Sequence, residues 1–123
     1  MSEISEQLAM AALEAARLSR SVGPSQLGNP TPCPDYGVRE LAAHLMQEIV
    51  LHGWDLAVAT GQTARFPEDV VATVRNRLDA ELEPERNDGW YADPVPVAGA
   101  TPLERAVARS GRDPAWRPGR QPQ

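Results

Sequence analysis

The sequence predicts an all-α protein: three main helices and a short C-terminal helix around one small core. Three observations carry that expectation. In three long stretches the apolar residues return every three or four positions, the period of a helix with one apolar side. The 9 Gly and 12 Pro gather largely between those stretches, where they mark long irregular connections. A chain of 123 residues buries roughly two-thirds of its unfolded surface, enough for a single core and too little for two. With 41% hydrophobic and 24% charged residues, wholesale disorder is excluded.

The first helix is expected over Ser2 to Val22, where Ile4, Leu8, Ala11, Ala12, Ala15, Leu18 and Val22 share a stripe. Glu3, Glu6 and Glu14 stand toward its start and Arg17 and Arg20 toward its end, which matches charge to the helix dipole. Gly23-Pro24 stops it. From Gly28 to Asp35, prolines 30, 32 and 34 forbid helix and central strand alike, and a stiff extended connector follows.

A second helix should run from near Gly37 to about Thr60, carrying Val38, Leu41, Ala42, Leu45, Ile49, His52, Leu56 and Ala59 on one stripe that faces the core. Gly61 closes it. At about 24 residues and ~36 Å it would be twice the usual helix length. Phe66-Pro67-Glu68-Asp69 opens a third helix that presents Val70, Val71, Val74, Leu78 and Leu82 before Pro84 ends it. Between Glu85 and Ala100, the apolar but proline-broken run with Trp90, Tyr91, Val95 and Val97 fits a strap or edge strand. Thr101-Pro102-Leu103-Glu104 is a capping box with proline at the first helical position, and Gly111 ends the short helix it starts. One helical domain over 1–111 and an irregular tail over 112–123, pinned at most by Trp116, complete the expected organisation.

The 12 basic residues, all Arg, are outnumbered by 17 acidic ones, for a net charge of −5. That balance lacks the footprint of a phosphate-backbone binder, so nucleic acid is not an expected partner. No apolar run approaches the roughly 18 to 20 residues of a membrane span, and Met1 to Met10 carry no signal or transit pattern. Cys33, the single cysteine, allows no intrachain disulfide. A cytoplasmic protein is the expectation.

Chemistry concentrates on the second helix. At about 100° per residue, His52 lies near the middle of the stripe, Glu48 about 40° to one side and His44 about 40° further, with Asp55 between the last two. A carboxylate and two imidazoles would then line one edge of a buried face, where an ionised Glu48 needs a cation, a protonated His or a metal. Glu48 and His52 have the i, i+4 spacing with which two helical side chains share one ion, and the alternative is a hydrogen-bonded interior pair. Cys33, flanked by prolines with no basic residue near it in sequence, suits small packing over a nucleophile's role; Trp54 and Met46, off the main stripe, suit an edge of the core over a dimer contact; the arginines at 75, 77, 105, 109, 112, 117 and 120 suit a solvated surface over recognition of an anionic substrate.

The blocks Thr31-Pro32-Cys33-Pro34-Asp35-Tyr36-Gly37-Val38-Arg39-Glu40-Leu41-Ala42-Ala43-His44-Leu45 and Glu48-Ile49-Val50-Leu51-His52-Gly53-Trp54-Asp55-Leu56-Ala57-Val58-Ala59-Thr60-Gly61-Gln62 resemble the two signatures of an actinobacterial metal-binding family. That family is similar to the N-terminal domain of mycothiol-dependent maleylpyruvate isomerase, within the DinB-like superfamily. The stretch from Val95-Pro96-Val97 through Leu103-Glu104-Arg105 to Gly111-Arg112-Asp113-Pro114-Ala115-Trp116 resembles the family's end. The resemblance implies an up-and-down helical bundle with one divalent ion, zinc or nickel, whose ligands by motif position would be His44, Glu48 and His52. In related isomerases the ion's open positions activate a thiol cofactor, here mycothiol, or water, on a small-molecule substrate.

This sequence departs from that pattern. Family members hold a long stretch, including at least one further helix, between the first His and the Glu, where only Leu45, Met46 and Gln47 stand here. On an unbroken helix His44 and His52 are about 12 Å apart along the axis, against metal bonds of roughly 2 Å. One chain then cannot close a three-ligand site. The expectation is a truncated DinB-like bundle completed by homodimerisation, which also hides the face the missing helix uncovers. Its rivals are a metal-free remnant that serves as a dimerising accessory module and a damaged gene whose product folds poorly alone.

Overall fold

The computed structural model describes residues 2–81 and 99–119, which hold four α-helices and no strand. Two compact units, Met1–Ala42 and Ala43–Gln123, divide the chain. The strap expected over 85–100 and the end of the third helix at Leu82 and Pro84 lie outside the described residues, Gly99 and Ala100 excepted.

In the first unit, α1 spans Glu3–Arg20. The Ser2 hydroxyl caps it, accepting from the Ser5 backbone N–H at 3.1 Å. Arg17 grips the Glu14 carboxylate with two hydrogen bonds of 2.6 and 2.9 Å, one helical turn apart, which lowers the Glu14 carboxyl below its ordinary range. No α1 residue is buried, and the stripe residues Ile4, Leu8 and Leu18 are exposed.

The Pro-rich stretch is not the extended connector expected of it. It closes on itself: Pro30 and Gly37 form an antiparallel bridge, and the Val38 N–H donates to the Asn29 carbonyl at 3.0 Å. The Thr31 hydroxyl reaches across to the Tyr36 carbonyl at 2.6 Å and accepts from the Cys33 N–H at 3.1 Å. Proline removed donors as foreseen, but a threonine side chain supplied the turn's hydrogen bonds instead. Cys33 therefore contributes to this turn through its backbone.

The helix α2, Val38–Ala59, enters the second unit, which also holds α3, Glu68–Glu81, and α4, Pro102–Arg109. The capping box is realised: the Thr101 hydroxyl accepts from the Glu104 N–H at 3.1 Å and the Glu104 carboxylate accepts from the Thr101 N–H at 3.0 Å. The Thr101 backbone N–H, foremost, holds the Glu104 carboxyl below its usual range.

The core joins Val50, Leu51 and Trp54 of α2 to Val74 and Leu78 of α3 and Val107 of α4, with Met46, Val58, Phe66, Val70 and Leu103 against it. Trp54, expected at an edge of the core, is thus inside it, and Met46 packs against it as a partly buried residue. Gly53 lets the Phe66 ring lie against α2, since a Cβ there would come within 2.9 Å of the ring tip. Polar links bind the helices as well. Buried Gln47 donates to Glu81 at 3.0 Å, and Arg109 of α4 reaches Asp79 of α3 at 2.7 Å.

One expectation is reversed. The stripe containing Leu45, Ile49, His52 and Leu56 is not the buried side of α2; those residues are exposed, and Gln47, Val50, Leu51, Trp54 and Ala57 enter the core. The helix is apolar almost all round, so period alone could not choose between its sides. No described helix is long and apolar enough to cross a membrane.

Candidate functional site

Of the residues singled out on α2, His52 stands on the exposed stripe, while His44, Glu48 and Asp55 lie on the flank between that stripe and the buried face. His44 is half-buried, while the side chains of Glu48 and His52 retain 42% and 66% of their free exposure. The cost of burying an ionised Glu48, which motivated a cation, therefore does not arise. A different constraint replaces it. His52 Nε2 lies 3.2 Å from Glu48 Oε2, and its Nδ1 lies 3.0 Å from Asp55 Oδ2.

Asp55 is fixed from behind. Arg112 binds it with both ends of its guanidinium, Nε to Oδ1 at 2.7 Å and Nη2 to Oδ2 at 2.9 Å, and its Nη1 donates to the Ser110 hydroxyl at 2.9 Å. Ser110 is buried and donates in turn to the Val107 carbonyl at 2.6 Å. Local backbone geometry aims this arginine. Gly111, at φ +93°, ends α4 with its own N–H on the Ala108 carbonyl and the Arg112 N–H on the Val107 carbonyl, both at 3.0 Å. That is a Schellman motif, whose left-handed residue favours glycine. The chain after α4 is thereby held by Arg112, and Trp116, the pin expected from sequence, is 40% exposed.

Burial pushes the Asp55 carboxyl up, but hydrogen bonds from Arg112, the charge of Arg112 and then His52 outweigh it and hold the group below its ordinary value of 3.8. An ionised Asp55 can only accept, so His52 Nδ1 carries a proton and donates to it. A neutral ring then turns the bare lone pair of Nε2 toward Glu48, another acceptor. Either a second proton or a cation must stand between Nε2 and Oε2.

The spacing suits a cation. Two donors bound at 2.0–2.1 Å to a tetrahedral zinc lie about 3.3 Å apart, close to the 3.2 Å between Oε2 and Nε2. His52 would bind through Nε2 while Asp55 and Arg112 fix its other nitrogen, the usual support of a metal-bound imidazole. The third residue of the expected set is not gathered with them: among the described residues no group of three His, Cys, Asp or Glu side chains is placed to hold one ion. His44 sits on the same helix, two turns from His52.

Sequence reasoning missed Arg112, which it assigned to a solvated surface with the other arginines. Arg77, Arg109 and Arg112 are instead partly buried and paired with Glu81, Asp79 and Asp55. The available signal was that Asp55 and Arg112 each fell inside a family-like block. A separate cavity of about 590 Å³, bordered by Trp54, Phe66, Arg65, Glu104 and Arg117, contains none of His44, Glu48 and His52.

Comparison with curated proteins and with solved structures found no match. A family model, the mycothiol maleylpyruvate isomerase N-terminal domain, matches residues 8–122. That match spans nearly the whole chain, and the four helices agree with it: this protein belongs to the mycothiol maleylpyruvate isomerase N-terminal domain family.

Proposed function

We propose that this is a divalent-metal-binding protein of the DinB-like kind that holds zinc or nickel through Glu48 and His52, with His44 of a second copy as the third ligand. The observation that carries the reading is the 3.2 Å separation of Glu48 Oε2 and His52 Nε2, beside an Asp55 carboxylate 3.0 Å from Nδ1 that holds the ring in place. A bound ion with open positions would act as a Lewis acid and ease deprotonation of a thiol or water. The chemistry that fits is thiol-dependent isomerisation or transfer on a small molecule, with mycothiol as the thiol, in a reducing cytoplasm. In it, Glu48 and His52 hold the ion, Asp55 orients His52, and Arg112 keeps Asp55 ionised and in place.

Metal analysis of chelator-free protein tests this: about one zinc or nickel per chain is expected, with loss on His52→Ala. A second reading has its own support. With both ring nitrogens protonated, Glu48, His52, Asp55, Arg112 and Ser110 form a relay whose hydrogen bonds are satisfied without an ion. That arrangement suits a metal-free dimerising module without catalysis, and metal-free wild-type protein would establish it.

A further inference from the structure

In the second unit, the end of α2 and the starts of α3 and α4 surround a cavity of about 590 Å³ that contains none of His44, Glu48 and His52. Sites for small molecules fall in the range of roughly 300 to 1,000 Å³. Trp54 and Val58 of α2, Phe66 of the connection, Val71 of α3 and Leu103 of α4 give the cavity apolar walls, two of them aromatic. Those walls are anchored. Trp54 and Val71 belong to the buried core, and Gly53 admits the Phe66 ring against α2.

The polar groups on its border are chiefly donors that the protein leaves unmatched. Trp54 keeps 7% of its surface exposed, yet among the described residues its indole N–H meets no acceptor, whereas a buried indole usually finds one. Arg65 and Arg117 also border the cavity, and neither pairs with a carboxylate among the described residues. Arg117 Nη1 donates to neutral groups, the Trp116 carbonyl at 2.6 Å and the Pro114 carbonyl at 3.4 Å, so its charge is left over.

Two carboxylates share the border, and each is offset by the start of a helix. Glu104 accepts from the Thr101 backbone N–H at 3.0 Å, which is the main reason its carboxyl lies below the usual range, with the charge of Arg117 the least of the causes. Glu68 stands in the first turn of α3, at the positive end of the helix dipole. Two guanidinium groups and an indole N–H remain to be answered.

We propose that this cavity binds a small aromatic carboxylate of one or two rings, its ring against the apolar walls and its carboxylate facing Arg65 and Arg117. A neutral apolar molecule would leave both cations unmatched, and a fully polar anion would leave the walls unfilled. A planar ring suits the faces of Trp54 and Phe66, and a carboxylate suits the fork of a guanidinium. The proposal is independent of any metal at Glu48 and His52.

Titration calorimetry on the full chain with chelator present, using naphthoate as the probe, tests it. Binding should saturate with a dissociation constant on the order of 0.1 mM. Naphthamide, which has the same rings without the charge, should bind about tenfold more weakly, and acetate, which has the charge without the rings, should not saturate. The double variant Arg65→Gln, Arg117→Gln changes two exposed positions, so it should keep the urea midpoint of wild type, lose about tenfold in affinity for naphthoate and keep its affinity for naphthamide. In NMR spectra of wild type, the Trp54 indole N–H signal, identified by its loss in Trp54→Phe, should move as naphthoate is added. Failure of naphthoate to saturate, equal affinity for naphthamide, a double variant that binds naphthoate as wild type does, or an unmoved Trp54 signal would each overturn the proposal.

Discussion

The two long sides of α2 have similar apolar composition and opposite surroundings. One side sends Val50, Leu51, Trp54 and Ala57 among α3, α4 and Phe66, while the other leaves Leu45, Ile49 and Leu56 exposed with Glu48 and His52 at its margin. A helix apolar on both sides is built to be covered on both. Glu48 and His52 thus stand on the exposed part of the helix, held by Asp55 and, through it, by Arg112.

Truncating each side in turn gives the largest expected effect. Leu51→Ala removes a side chain 2% exposed in the core and should cost about 2–5 kcal/mol through lost burial and the cavity left behind. Leu45→Ala, 52% exposed, should change the stability of the chelator-treated protein by less than about 0.5 kcal/mol. Urea unfolding with chelator present measures both. Equal costs would mean that the two sides are not distinct in solution.

The margin between the sides supplies the next effect. Asp55→Asn retains shape but lets the residue at 55 offer an NH₂ as well as a carbonyl to His52, so the tautomer with Nε2 bare is no longer enforced. Zinc affinity should fall 10- to 100-fold, the usual consequence of losing such a support. Unchanged affinity in Asp55→Asn would detach Asp55 from the site.

Helix ends were legible in the sequence because local chemistry fixes them. Ser2, the Thr101-Pro102-Leu103-Glu104 box and Gly111 all act within a few residues of themselves, and each does in the structure what its type dictates. Long-range choices were not legible. Which side of α2 is buried depends on α3 and α4, and Arg112 meets Asp55 across 57 positions of sequence. The closed turn around Thr31 was hidden for a different reason: prolines announced what the backbone could not do, while the hydroxyl that organised it looked like any other. Glu48 and His52 were found from an i, i+4 spacing that holds on either side of a helix, so their proximity was legible and their exposure was not.

Gly53 marks the border between the two sides and should show a smaller effect. A Cβ there would stand 2.9 Å from the tip of the Phe66 ring, which packs against the core, so the ring or the helix has to shift. Overpacking of this kind costs about 1–3 kcal/mol, and the better helix propensity of alanine returns up to about 1 kcal/mol. Gly53→Ala should therefore destabilise by about 1 kcal/mol in urea unfolding, and a stabilised variant would show that Phe66 yields.

The smallest effect expected is the one with a distinctive pH dependence. Arg112→Ala removes the bidentate clamp on Asp55, a pair only partly shielded from water at 20% and 39% side-chain exposure. Solvent screening limits the loss to about 1 kcal/mol near neutral pH. Because the folded Asp55 carboxyl lies below its ordinary value of 3.8, the unfolded chain takes up its proton first as pH falls. The clamp's contribution is therefore fully present above that value and disappears as pH drops through the lower folded one. Wild type and Arg112→Ala should differ in urea midpoint at neutral pH and converge in acid. The gap would persist in acid if Arg112 stabilised the chain chiefly through Ser110 or its aliphatic stem, so convergence identifies Asp55 as the group it serves.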